Sequence, residues 1–140
     1  MSKSTISAYL LIIKCLDKTT IKTRGGRVFE LMPGTYIYVG SCGINCSRIL
    51  RHLYSKKKRN FWHIDYLLDQ CLLEKILIIP NISERDLASR IRQENYLEAV
   101  PKFGASDDPF NKSHLFRIKS LDNLSDVITL IIKKIFEKIS

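Results

Sequence analysis

No stretch of the 140-residue sequence approaches the roughly 18 apolar residues that a membrane-crossing helix needs, so no membrane partner is expected. Met1–Ser7 carries one lysine and no apolar core of the kind a signal peptide uses, and a cytoplasmic location is expected. Cysteine is sparse. Cys42 and Cys46 have no second close pair and no histidine doublet nearby, so the spacing does not fit zinc; with Cys15 and Cys71 they are expected to be reduced thiols. No repeat or linker divides the chain. A single domain spanning 1–140 is expected, with a core over about 6–118 and a closing helix over about 121–139.

Acidic residues are also scarce relative to basic ones. Asp plus Glu number 14 against 23 Lys plus Arg, a formal net charge of +9 that favours a phosphate-rich partner through counterion release. The densest basic run, Lys56-Lys57-Lys58-Arg59, reads either as part of such a surface or as a solvated loop. Apolar residues make up 45% of the chain, enough to fill one core.

Ala8–Lys14 is a short apolar run that reads as a buried strand. Thr20–Arg24 and Arg27–Leu31 flank Gly25-Gly26, a two-residue hairpin signal. Pro33-Gly34 makes a turn, after which Thr35–Gly40 is rich in β-formers. Ser47 caps a helix that carries Ile49, Leu50, Leu53 and Tyr54 on one side and Arg48, Arg51 and His52 on the other. Ile64, Leu67, Leu68 and Cys71 form the inward stripe of a second helix. Lys75–Ile79 reads as a strand closed by Pro80, and Ser83 caps a helix burying Leu87, Ala88 and Ile91. The aperiodic stretch 98–113 has the length of a functional loop. His114–Lys119 reads as a last strand, followed by an amphipathic helix from Leu124 to Ile139. The sum is an α+β fold: a small, mostly antiparallel central sheet flanked by helices, with an inserted β-hairpin and a C-terminal helix.

Pro33–Ser41, ending in Tyr38-Val39-Gly40, followed by Arg48 and His52 one turn apart, resembles the signature of the GIY-YIG nuclease superfamily. Phe61-Trp62-His63-Ile64-Asp65-Tyr66-Leu67-Leu68 is similar to a block found in a branch common in archaea and sometimes fused to an endonuclease III-type glycosylase. Phe103–Asp107 and Ser113–Phe116 are similar to the closing blocks of that branch. The resemblance implies metal-dependent hydrolysis of phosphodiester bonds, in DNA rather than RNA, with a base-excision repair protein as a further partner. An alternative is a catalytically inactive nucleic-acid-binding module on the same fold.

The roles implied are specific. Arg48 would meet two non-bridging phosphate oxygens at once. Tyr38 and Tyr9 match the strand tyrosines that orient the nucleophilic water, and His52 would act beside them. Glu84, by its order in the chain, matches the carboxylate that holds Mg²⁺ or Mn²⁺, ions that want hard oxygen ligands. Arg51 and Lys56–Arg59 would grip backbone phosphates. Tyr36, on the strand face of Tyr38, could stand in for Tyr9; His63 and His114 could line the cleft. The chain departs from the pattern where Ala8 and Leu10 flank Tyr9, and where Asp108–Asn111 replaces the cysteines usual in the branch. Each residue also has a plain alternative: packed aromatics for the tyrosines, a helix-dipole carboxylate for Glu84, and surface or core positions for the histidines.

Overall fold

The computed structural model describes residues 6–43, 46, 63–94, 96–104, 113–119, 128, 129, 131–133 and 136. The expected helix from Ser47, with Arg48, Arg51 and His52, lies outside them, as do Lys56–Arg59.

Strand β1 (Ser7–Cys15) is an inner strand of the sheet, apolar on both faces, and Ala8 to Ile13 are all buried. It pairs antiparallel with β4 (Gly34–Gly43) on one side and with β5 (Leu72–Pro80) on the other. Two further strands, β6 (Leu97–Ala99) and β7 (Leu115–Ile118), extend the sheet beyond β4, giving the order β5-β1-β4-β7-β6 with every pairing antiparallel. The fold is thus mixed α and β around an antiparallel sheet, as the sequence pattern implies.

Alternation along the strands divides the core in two. Ala8, Leu10 and Ile12 of β1, with Ile37 and Val39 of β4, turn to one face. Tyr9, Leu11 and Ile13, with Tyr36 and Tyr38, turn to the other. Burying each such leucine or isoleucine contributes about 1.5–3 kcal/mol, and a one-residue slip would exchange the two faces.

Helix α2 (Glu84–Ile91) covers the first face through Leu87, Ala88 and Ile91. Ser83 starts it: extended at φ −83° and ψ 158°, its hydroxyl accepts a hydrogen bond from the Asp86 amide at 3.1 Å. Described residues 128, 129, 131–133 and 136 are helical, and Ile131 and Ile128 pack on the same face. Helix α1 (His63–Leu68) covers the second face with Ile64 and Leu67. The hairpin of β2 (Thr19–Lys22) and β3 (Val28–Leu31) adds Ile21, Phe29 and Leu31 there.

Three expectations change. The hairpin turn is longer than the Gly25-Gly26 signal suggests. The Thr23 amide still donates to the Arg27 carbonyl, the Gly26 amide donates to Thr23, and Gly26 takes φ +88°. That is a three-residue loop closed by a glycine in the left-handed region. Strand β6 opens the stretch read as aperiodic, because three residues are too few to show a period. The cysteines form two pairs, Cys15–Cys71 and Cys42–Cys46, in place of free thiols. The β1–β5 register, with Lys14 opposite Leu72, brings Cys15 and Cys71 to a Cα separation of 4.7 Å, a proximity that linear spacing does not reveal.

Candidate active site at one end of the sheet

The described candidates spread from the sheet end where β1 begins to the middle of β4. Ser7 lies opposite both Gly43 and Pro80, so β4 and β5 finish there, and α2 starts four residues after Pro80. β7 starts beside Tyr38, opposite Leu115. Tyr9 and Glu84 lie toward that end, while Tyr38, opposite Leu11, sits at mid-strand, and His114 directly precedes β7 beside Val39.

On the second face, Tyr9 lies across from Gly40. A Cβ at Gly40 would overlap the Tyr9 ring and hydroxyl, so the tyrosine occupies the space a side chain would fill. This gives the Tyr-Val-Gly strand end a physical meaning: its glycine lets an aromatic from the neighbouring strand lie flat across the backbone. The Tyr9 and Tyr38 rings are 6.4 Å apart, and both are buried, at 2% and 7% exposure. Tyr36 also lies on this face, but its hydroxyl donates to the Met32 carbonyl. Burial pushes its phenol pKa up, against the lowering effect of Arg117, so Tyr36 keeps its proton and serves packing.

His63 opens α1 with its ring between Phe29 and Phe103, at centroid distances of 5.2 and 5.4 Å. Phe103 in turn meets Phe29 at 5.0 Å and Tyr38 at 6.2 Å, in edge-to-face contacts. The Gly104 amide donates to His63 Nδ1 at 2.8 Å, which assigns the imidazole proton to Nε2. Burial, reinforced by the Arg27 charge, holds the His63 pKa below its ordinary value. Phe29 is a site neighbour that the linear sequence does not single out, while Phe103 and Gly104 belong to a block that the resemblance includes without a stated role.

On the first face, Glu84 and His114 meet. His114 Nδ1 lies 2.7 Å from Glu84 Oε2, and because a carboxylate only accepts, the imidazole donates. The His114 side chain is 3% exposed and that of Glu84 27% exposed. Glu84 is thus held from the inside and open on the outside. The tyrosines belong to one core cluster and α2 to the other, so the structure joins Tyr9 with Tyr38, and Glu84 with His114, on opposite faces of the sheet.

A single outward carboxylate suits Mg²⁺, which keeps several waters and takes one or two carboxylates plus substrate phosphate oxygens. Among the described residues no group of three or more His, Cys, Asp or Glu could hold a metal by itself. The donor set fits an ion shared with substrate. No helix among the described residues is long and apolar enough to cross a membrane.

Residues 8–137 match the model of a family described as "Domain of unknown function DUF123". No curated protein and no solved structure matches the chain.

Proposed function

This chain belongs to the DUF123 family, a GIY-YIG-like family, and from that premise we propose that it is a metal-dependent endonuclease hydrolysing phosphodiester bonds in DNA. The observation that carries the reading is Glu84. It is a carboxylate open to solvent on one side and fixed by a buried histidine on the other, across the sheet from the tyrosine pair. Glu84 would hold Mg²⁺ or Mn²⁺, and the ion would supply Lewis-acid stabilisation of the scissile phosphate and its leaving oxygen. Arg48 meets the non-bridging oxygens, Tyr38 orients the water, and His52 assists proton transfer. Arg51, Lys56, Lys57, Lys58 and Arg59 hold the backbone without reading sequence, in keeping with the net charge of +9. The resemblance of Phe61–Leu68 to an archaeal branch with glycosylase fusions supports a cytoplasmic role in DNA repair or recombination, with a base-excision repair protein as a partner.

A second reading is favoured by the burial of Tyr9 and Tyr38: a nucleic-acid-binding module that kept the fold and lost the chemistry. A panel of linear, nicked, flapped and branched DNAs, incubated with Mg²⁺ or Mn²⁺, separates the two. The nuclease reading predicts cleavage that Arg48→Ala and Glu84→Gln abolish while both variants stay folded. Salt-sensitive binding without cleavage under either ion selects the second reading.

A further inference from the structure

We propose that His114 is a positioning residue that fixes the Glu84 carboxylate for metal binding, an inference that rests on Glu84 holding the ion. Thirty residues separate the two in sequence, yet their side chains meet at 2.7 Å. Neither needs the other for secondary structure. Ser83 already caps α2, and a glutamate in the first turn is favoured by the helix dipole without a partner. The histidine is the buried member of the pair and the carboxylate the open one.

The backbone of His114 is held on both sides. Its amide donates to the Phe103 carbonyl at 2.9 Å, and its carbonyl accepts from the Val39 amide at 2.9 Å. Its imidazole is therefore presented from a fixed main chain, not from a mobile loop. The same residue connects the two faces, because Phe103 packs on Tyr38 and Val39 follows Tyr38 directly. A histidine N–H holding one carboxylate oxygen orients the other oxygen outward, the arrangement by which outer-shell partners set a metal ligand's direction.

The test measures Mn²⁺ binding to the full chain by calorimetry and by loss of the free-ion paramagnetic signal, alongside thermal melting. His114→Phe keeps a flat ring without the donor; His114→Asn restores an N–H at similar reach in a smaller side chain. Loss of binding in Glu84→Gln establishes the ligand. His114→Phe is then expected to weaken Mn²⁺ binding by about 10- to 100-fold, and His114→Asn to recover most of it. Wild-type affinity in His114→Phe overturns the inference and leaves Glu84 as ligand. So does an affinity in His114→Asn as weak as that of Glu84→Gln, a result readable even where His114→Phe does not fold. No Mn²⁺ binding by the wild-type chain removes the metal reading itself, and this inference with it.

Discussion

The two faces of the sheet are built for different work. The face that carries Tyr9 and Tyr38 is an aromatic core: Phe29, Phe103, His63 and both tyrosines touch in sequence, and a glycine is spent to let one ring lie flat. The face under α2 is mostly aliphatic, with Phe116 and Tyr96 as its aromatics, and at its edge Glu84 and His114 pair. Residues of the first kind are fixed by packing and hold shape; a residue of the second kind is fixed by one directional bond and keeps a side open to a ligand. Packing cannot orient a solvent-exposed carboxylate, whereas a buried donor can.

Phe103→Ala should break the aromatic face most severely. It removes a fully buried ring that joins Tyr38, Phe29 and His63, and should cost about 3–5 kcal/mol in chemical denaturation. A much smaller loss would mean the cluster is loosely packed. Gly40→Ala comes next, at about 1–3 kcal/mol, because the added methyl must displace the Tyr9 ring. Combining it with Tyr9→Leu should be less costly than the sum of the two single changes, since the clash is then relieved; strict additivity would disconnect the two positions. On the helix face, Ser83→Ala should lose about 1 kcal/mol through the cap alone, and an unchanged melting temperature would show that the Asp86 amide finds another acceptor.

The smallest effect is one of pH. His63 is neutral in the fold with its pKa lowered by burial and then by Arg27, so the unfolded chain binds the proton more readily. Its stabilising contribution is complete above the ordinary value of 6.5 and is lost as pH falls through the lower folded value. Thermal melts across that window should show a slope that His63→Phe reduces. An identical slope in the variant would assign the acid sensitivity elsewhere.

Much of the fold is legible in the sequence. β1, β4, β5 and the Ser83 cap follow from apolar runs and helical spacing, because period and capping are local properties. Tyr9 and Tyr38 were readable as partners through their family pattern, but the reason for Gly40 was not, since it depends on which strand lies alongside. Glu84 is singled out by its order along the chain. Its bond to His114 was invisible, as were the Cys15–Cys71 proximity and the His63–Gly104 bond, because strand pairing and loop return create all three. Arg48, Arg51, His52 and Lys56–Arg59 lie outside the described residues.

Tyrosines on one face and a carboxylate on the other make a nuclease only if a single ion and phosphate join them around the end of the sheet. A crystal of the full chain soaked in Mn²⁺ measures this directly through the anomalous signal. The account predicts one peak bound to Glu84, in the same concavity as the Tyr38 hydroxyl and the Arg48 guanidinium. A peak away from Glu84, or one at Glu84 with Tyr38 and Arg48 on separate surfaces, would contradict it.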